Sequence, residues 1–414
     1  MISDQQEQLR ADILVKKFCA YGFLKNLRFF EPFLFLYLLS KNISMVEIGF
    51  LISIRELSIQ LFEIPSGLIA DHFGRKKELC SCFIFYIISF ISFAFCFNFW
   101  GAATAMFFFG LGEAFRSGTH KAFIYTYLDV NNLRSEKTFL YGLTRSYSLI
   151  GTALSSLIGI AILLWVEQPS ALFLFAVIPY LLDLLLIASY PSYLDSRDCK
   201  KNQSLNFFCR DLFHHLKGNF MLWRLLLEEG IYEASLSFSK DIIQPLLQVI
   251  ILSSGFVLIA SCSPSQNLNI LLGLVYVLFN LAAALSSRKA YWLRQRFSCR
   301  NTLWLIHLIT GLIFGFIAIV SHAYLPVCAL YLILYLLLNL RKPIWIDEIE
   351  EHIAKNLRTS VLSISSQLKS LSLAILAPTL TWIAQHHDFR SMMLAIGLLF
   401  LMTLPLLRTP RQAK

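Results

Sequence analysis

Long apolar stretches separated by short polar ones run through most of the chain. Twelve of these stretches are long enough to cross a bilayer as helices, which takes about 20 residues each. The apolar positions form runs rather than a sustained alternation, so the pattern predicts helices and not the strands of a membrane barrel. The predicted spans are 18–39, 46–68, 79–97, 102–127, 139–164, 171–190, 225–252, 268–285, 303–320, 324–345, 359–384 and 392–407.

The longest polar stretch lies between the sixth and the seventh predicted spans. We therefore predict an all-α polytopic membrane protein with two six-helix bundles, at 1–190 and 220–414, joined by a cytoplasmic linker at 191–219. Within the linker, apolar residues recur at helical spacing among basic residues and histidines, which is typical of an amphipathic helix on a membrane face. These apolar residues are Leu205, Phe208, Leu212, Phe213 and Leu216.

Composition excludes a soluble protein. Hydrophobic residues make up 57% of the 414-residue chain and charged residues only 15%, whereas a soluble domain has about 25% charged residues. A soluble chain with this composition would have too few polar groups to cover its surface.

The Lys and Arg residues between the predicted spans fall almost entirely on one side of the membrane. If the N-terminus is cytoplasmic, the external loops receive only Lys41 and Arg390, and residues such as Arg341 and Lys342 are counted as cytoplasmic. Cytoplasmic loops are enriched in Lys and Arg, so the pattern predicts that both termini are cytoplasmic and that the protein lies in the plasma membrane, the inner membrane of a bacterium. It also accounts for the net charge of +10 without a nucleic-acid partner.

The loop after the second predicted span carries a family resemblance. Residues 67–77 read GLIADHFGRKK, and residues 358–363, at the start of span eleven, read RTSVLS. The first segment resembles the G-x-L-a-D-r-x-G-r-k signature of the major facilitator superfamily (MFS), and the second is similar to its R-A-T-x-L-S element. The resemblance implies a twelve-helix secondary transporter that works by alternating access, without catalytic activity or a cofactor.

The same resemblance assigns gating roles to this loop, which in the family holds the two halves together in one state. Asp71 would face the N-terminus of span eleven near Thr359, with Arg134 as a possible ionic partner. Gly67 would let two helices approach closely, and Gly74 would permit a tight turn. The implied gating residues are Gly67, Asp71, Gly74, Arg75, Lys76, Arg134 and Thr359.

Two departures from the family pattern bear on function. The equivalent loop of the second half, 285–292, has neither Asp nor Gly. Span five carries glycines but no Gly-Pro element of the kind found in family antiporters that export drugs. The second departure disfavours export of drugs.

Charged residues within the spans provide the candidate site. Placing one in hydrocarbon costs about 2.5–3.5 kcal/mol or more, so these residues need ionic partners or a water-filled cavity. Three spans that line the cavity in the family carry clusters, and at about 100° per residue the members of a cluster share a helix face. Each cluster could equally be a static ion pair that orients helices. The clusters are Lys25, Arg28 and Glu31; Glu113, Arg116 and His120; and Glu229, Glu233 and Lys240.

The candidate roles follow from charge. Lys25, Arg28, Arg116 and Arg145 form a basic set that would bind carboxylate or phosphate groups of a solute. Glu229, Glu233 and Lys240 complete the predicted solute site. The predicted proton-coupling residues are Glu113, which lies near the midplane, followed by Glu31 and His120.

No Gly-x-x-x-x-Gly-Lys-Ser/Thr loop for ATP is present in the sequence. We therefore expect transport to draw on an ion gradient, with protons as the coupling ion. The solute is expected to be anionic or zwitterionic, such as an organic acid or a siderophore-like polycarboxylate chelate, and the protein to be a monomer. Alternatives are a proton-coupled multidrug exporter and a transport-inactive receptor. An intramembrane enzyme is disfavoured because the histidines do not form a spaced metal site.

Overall fold

The computed structural model describes residues 4–195, 219–254, 257–296, 298–353 and 358–407, and within these ranges the regular structure is helical. The side chains of residues 4–5, 71, 283–296 and 358–359 are not among those described. The predicted amphipathic helix of the linker also lies outside the described residues. The helices are α1 (Asp4–Ala11), α2 (Ile13–Leu24), α3 (Leu34–Ser40), α4 (Met45–Phe73), α5 (Arg75–Ala94), α6 (Phe99–Arg116), α7 (Thr119–Val130), α8 (Lys137–Val166), α9 (Ala171–Ala188), α10 (Phe220–Ser254), α11 (Pro264–Arg296), α12 (Cys299–Val320), α13 (Tyr324–Glu350), α14 (Arg358–His386) and α15 (Phe389–Thr403).

In the described part of the chain, nine helices are long and apolar enough to cross a membrane. They correspond to the third predicted span and to the fifth through twelfth. The second predicted span is also one helix, α4, but Arg55, Glu56 and Glu63 lie along its length. The first and fourth predicted spans are each interrupted, and both interruptions lie at charged residues.

The first predicted span is not one continuous helix in the structure. Helix α2 ends at Leu24, and after a turn the chain continues through the 3₁₀ helix Glu31–Phe33 into α3. The Asn26 side chain donates a hydrogen bond of 2.6 Å to the Gly22 carbonyl, so this carbonyl near the end of α2 accepts from a side chain. Pro32 has no N–H, and in a helix its ring would clash with the carbonyl four residues earlier, that of Arg28. Arg28 therefore lies in irregular chain.

The fourth span is interrupted by two residues between α6 and α7. Ser117 is extended, with φ −60° and ψ 118°, and Gly118 is left-handed, with φ +76°. A left-handed backbone disfavours residues with a Cβ, so glycine is needed here. The prediction of one helix over 102–127 is wrong at this point, and Arg116 becomes the last residue of α6.

The chain divides into two compact units. Unit 1 comprises Met1–Ile43, Ile54–Cys199 and Val257–Asn280, and unit 2 comprises Ser44–Ser53, Lys200–Phe256 and Leu281–Lys414. Within unit 1, α5 packs against α6 and α9, and α2 packs against α8. Within unit 2, α10 packs against α14, and α12 packs against α13 and α15.

Candidate functional site

Unit 1 contains a cavity of about 260 Å³, bounded by α2, α7, α8 and the two interruptions. Ligand pockets for drug-sized molecules are about 300–1,000 Å³, so this cavity has room for a small metabolite. None of the described side chains that line it is acidic. Its basic lining residues are Lys25, Arg116, Lys121 and Arg145, together with His120.

A triad of charged side chains lies at one edge of the cavity. The Glu113 carboxylate accepts hydrogen bonds of 2.5 Å from Arg28 through Oε1 and of 2.5 Å from Arg116 through Oε2. The triad is not sealed, because the side chains of Arg28, Glu113 and Arg116 remain 21%, 17% and 30% exposed. Glu113 therefore orients both guanidinium groups while Arg116 still faces the cavity.

The two chain interruptions create this arrangement. Arg28 lies in the irregular segment between α2 and α3, and Arg116 lies at the C-terminal end of α6. The carbonyl groups at a helix C-terminus carry a partial negative charge that favours a cation there. An uninterrupted fourth span would instead have carried Arg116 and His120 on one rigid helix.

Two tyrosine hydroxyls hold the arginines in place. The Tyr86 hydroxyl accepts from Arg116 Nε at 3.1 Å and from Arg28 at 3.3 Å. The Tyr180 hydroxyl accepts from Arg28 Nε at 2.8 Å and donates to the Lys25 carbonyl at 2.8 Å. Because Tyr180 contacts both residues, it fixes the turn after α2 as well as the guanidinium of Arg28.

Lys25 and His120 meet the same aromatic ring. The Lys25 ammonium lies 4.9 Å from the centroid of the Tyr21 ring. The Tyr21 ring stacks on His120, with centroids 3.6 Å apart and planes inclined by 7°. His120 Nε2 lies 3.2 Å from the Tyr190 hydroxyl. Glu31, the other predicted proton-coupling residue, lies in the 3₁₀ helix and not among the residues that line the cavity.

The signature loop is held in place by Asp195, a residue that the sequence analysis did not single out. Gly74 has φ +99° and precedes α5, and a Cβ there would lie 2.6 Å from Asp195 Oδ2. Asp195 Oδ1 accepts from the Lys76 backbone N–H at 3.0 Å. The Lys76 ammonium donates to the Tyr190 carbonyl at 2.8 Å. Gly74 is therefore needed for both its backbone conformation and its lack of a side chain.

The remaining gating residues are placed as follows. Arg75 begins α5. Arg134 pairs with Asp129 on the surface. The side chains of Asp71 and Thr359 lie outside the described residues.

A Cβ added at Gly67 would meet no heavy atom of the described residues within 4 Å. The close helix approach predicted at Gly67 is therefore not found there.

Unit 2 contains a second charged cluster with a different character. Arg341 forms ion pairs with Glu228 and Glu229, and His307 Nδ1 lies 2.6 Å from Glu228 Oε1. All four side chains are 0–1% exposed. The Arg341 guanidinium also lies 3.9 Å from the centroid of the Tyr232 ring.

This cluster places Arg341 and Lys342, which the sequence analysis counted on the cytoplasmic side, in a helix and in ion pairs. Helix α13 continues to Glu350, so both residues lie within it, and Lys342 forms an ion pair with Glu233. Glu229, Glu233 and Lys240, predicted as solute-binding residues, all lie on α10 of unit 2 and do not line the cavity of unit 1.

Four contributing residues were missed by the sequence analysis: Tyr86, Tyr180, Asp183 and Asp195. For Asp183 a signal was present, because it interrupts the otherwise apolar i,i+3 and i,i+4 stripe of α9 that includes Ala176 and Ile187. For the tyrosines no local signal exists, since an aromatic residue in an apolar span is most often a packing residue.

A family model described as Major Facilitator Superfamily matches residues 18–372. The chain belongs to the Major Facilitator Superfamily. The resemblance of the signature loop is thereby confirmed, and this MFS protein is a multi-pass membrane transporter.

A curated relative is similar over part of its length. The "Uncharacterized MFS-type transporter YxaM" of Bacillus subtilis (strain 168) is 32% identical over 95 residues. The similarity covers 23% of this chain and 24% of that protein, about a quarter of each.

Solved structures share the fold of this MFS chain. The crystal structure of nucleoside transporter NupG has a TM-score of 0.78 at 12% identity and covers 95% of this chain and 98% of that chain. The crystal structure of D-xylose-proton symporter has a TM-score of 0.65 at 13% identity, with coverage of 95% and 96%. These likenesses confirm the predicted twelve-helix MFS fold of two six-helix bundles.

Proposed function

We propose that this MFS transporter carries a small organic anion, coupled to protons, by alternating access around the cavity of unit 1. One observation carries the proposal: four basic side chains line a cavity of about 260 Å³ whose described lining contains no acidic residue. A site with this excess of positive charge would repel a cationic drug, which disfavours the multidrug exporter.

The hydrogen bonding of Arg116 supports the binding of an oxyanion. A guanidinium has five N–H donors in a planar fork. Among the described residues, Arg116 donates through Nε to Tyr86 and through Nη2 to Glu113. Nη1 remains for a solute, so a carboxylate or phosphate in the cavity would complete the donor set of Arg116 without displacing Glu113.

Preorganisation strengthens this site. Charge-assisted hydrogen bonds are the strong ones, and they gain most when the donors need no reordering on binding. Arg116 is already fixed by Tyr86 and Glu113. Lys25 and Arg145 complete the lining with ammonium and guanidinium groups on other segments. A solute with two or more negative groups, such as a polycarboxylate, would contact several of them at once.

Proton coupling is part of the proposal. MFS transporters draw on gradients, and one protein with a similar fold is a D-xylose-proton symporter. Uptake of a proton with each anion would offset the charge that moves across the membrane, so a pH gradient would drive accumulation.

The test is transport in proteoliposomes under an imposed pH gradient. The probes are radiolabelled citrate, ferric citrate, succinate and inorganic phosphate, with uridine and ethidium as a neutral and a cationic comparison. We expect uptake of at least one anion, loss of that uptake in Arg116→Gln, and normal uptake in the matched control Arg390→Gln, an exposed arginine of unit 2.

Three outcomes would contradict the proposal. Anion uptake that is unchanged in Arg116→Gln would place the site elsewhere. Movement of ethidium alone would favour the exporter. Binding of an anion without any movement would favour the transport-inactive receptor.

A further inference from the structure

Asp183 is a fully buried carboxyl group in unit 1 without a hydrogen-bond partner. Its exposure is 0%, and neither of its carboxylate oxygens is hydrogen-bonded to any of the described residues. It lies in the buried stripe of α9, one turn after Tyr180 and one turn before Ile187.

Ionisation of such a group is costly in free energy. An ionised carboxylate in an apolar interior requires pairing or hydrogen bonds, and without them the neutral, protonated form is favoured. Glu113 differs, because two guanidinium groups surround its carboxylate. Among the described residues of unit 1, Asp183 is a buried carboxyl whose two oxygens have no hydrogen-bond partner, and this favours its protonated form.

The surroundings of Asp183 offer a cation that can exchange with that proton. Helix α9 packs against α2, α5 and α8. Tyr180, one turn before Asp183 on α9, donates to the Lys25 carbonyl at 2.8 Å, and Lys25 also lines the cavity. Lys25 is the C-cap residue of α2 and begins the irregular segment between α2 and α3. Other titratable groups near the packed faces include Cys19 and Tyr21 of α2, Glu78, Cys82 and Tyr86 of α5, Arg145 of α8 and, just beyond α9, Tyr190. Lys17 of α2 and Lys76 of α5 donate to Ser189 and to the Tyr190 carbonyl, at the end of α9.

These neighbours do not replace Lys25. Glu78 accepts a hydrogen bond of 2.8 Å from Thr119. Tyr86 accepts from both arginines of the triad. Tyr21 also lies within reach of Asp183, and its hydroxyl, like the Asp183 carboxyl, has no partner among the described residues. Lys25 is the cation that both the cavity and Asp183 share.

We propose that Asp183 and Lys25 form the proton-coupling pair of the transporter. This inference rests on the proposed anion transport. With an anion in the cavity, the Lys25 ammonium contacts the anion and Asp183 keeps its proton. When the anion leaves, the O–H bond of Asp183 breaks, its proton passes to water in the cavity, and the carboxylate pairs with Lys25. One proton is thereby moved with each anion at this site.

The first test needs no solute. Infrared difference spectra of the purified protein at pH 7 should show the C=O stretching band of a protonated carboxylic acid, which is absent in Asp183→Asn. The matched control is Glu56→Gln, a buried carboxyl that is paired with Arg55 at 2.8 Å and should contribute no such band. In Lys25→Gln the band should persist to higher pH, because a cation that favours the ionised form has been removed.

A band that is unchanged in Asp183→Asn would overturn the inference. So would a band that is lost at the same pH with and without Lys25.

The second test uses citrate in the proteoliposomes. Asp183→Asn mimics the protonated state, so exchange of internal for external citrate should continue while accumulation driven by the pH gradient falls at least about tenfold, a change of about 1.4 kcal/mol. Accumulation equal to that of the unmodified protein would overturn the pair. If the unmodified protein moves no anion, the proposed function fails, and the infrared result still decides whether Asp183 holds a proton.

Discussion

The two units each contain arginines paired with glutamates, yet the two clusters differ in access. In unit 1, Glu113 lies between Arg28 and Arg116, and the three side chains are 17–30% exposed. In unit 2, Arg341, Glu228 and Glu229 are 0–1% exposed, and His307 closes the cluster. In this structure the first cluster is open to the cavity, whereas the second is closed to solvent.

The source of the difference is the backbone. The residues of the first cluster lie at interruptions between α2 and α3 and between α6 and α7, where the chain is irregular. The residues of the second lie inside the long helices α10, α12 and α13. In this chain, the charged cluster that is open to the cavity lies where the helices are interrupted.

The largest change in stability is expected from Arg341→Met in unit 2. The substitution leaves Glu228 and Glu229 buried without their cation, which costs about 3–5 kcal/mol of stability. Thermal unfolding in detergent should show a large decrease in Tm, while anion affinity of the remaining folded protein is unchanged. The triple variant Arg341→Met, Glu228→Gln and Glu229→Gln should recover much of the loss; a failure to recover would mean that the charges are not the cause.

The converse substitution is Arg116→Gln in unit 1. A hydrogen bond to a charged group contributes about 1.5–3 kcal/mol, so we expect anion affinity to fall about 10- to 100-fold. Tm should change little, since Arg28 still pairs with Glu113. Titration calorimetry with the transported anion measures the affinity. If Arg116→Gln reduced stability more than affinity, the two clusters would not differ in kind.

Gly118→Ala tests the interruption itself. At φ +76° a Cβ meets no described atom within 4 Å, so the cost comes from the backbone alone. That cost is about 1–2 kcal/mol for a left-handed residue. Gly142→Ala in α8 is the matched control, because its added Cβ also meets no described atom within 4 Å and its backbone is helical. Equal changes in Tm would show that the left-handed conformation does not matter.

The smallest effect is expected from Asp388, which lies outside both clusters. Asp388 accepts a hydrogen bond of 2.6 Å from the Ser391 N–H at the start of α15, and this bond lowers the pKa of its carboxyl. Because the folded-state pKa lies below the unfolded one, its charge stabilises the protein above the ordinary pKa of aspartate, and this contribution is lost as the pH falls through the lowered pKa. Replacing an N-cap by Ala costs about 0.5–2 kcal/mol.

The measurement for this prediction is Tm against pH. Asp388→Ala should lower Tm near pH 7 and have less effect at acidic pH. Asp388→Asn keeps a capping oxygen and should remove mainly the pH dependence. A decrease in Tm for Asp388→Ala that is the same at all pH values would argue against a charged cap.

Much of the fold follows from the apolar pattern, and the reasons for the exceptions are local. The apolar runs located most helices, and the signature loop indicated the family. They did not predict the two interruptions, because the residues that cause them, Asn26, Pro32 and Gly118, are few among many apolar neighbours. The pairing of Arg341 was not predicted, because its glutamate partners lie more than one hundred residues away.

The candidate site depended on the same long-range information. The sequence proposed Lys25, Arg28, Arg116 and Arg145 as a basic set, and in the structure three of these line one cavity with Arg28 behind them. Which carboxyl faces which cation could not be read from spacing. Glu113 was favoured for its position on the helix, and its carboxylate pairs with two arginines, whereas the Asp183 carboxyl has no hydrogen-bond partner among the described residues.

The contact between Asp195 and the loop before α5 has a consequence for how the chain can be divided. It fastens the segment after α9 to Gly74 and Lys76, near the start of the third membrane span. Asp195 thus ties the chain that follows the sixth predicted span back to the loop before the third. Cutting the polypeptide between 196 and 218 would leave this contact intact, so we expect the loop before α5 to keep its turn in a protein assembled from two co-expressed fragments.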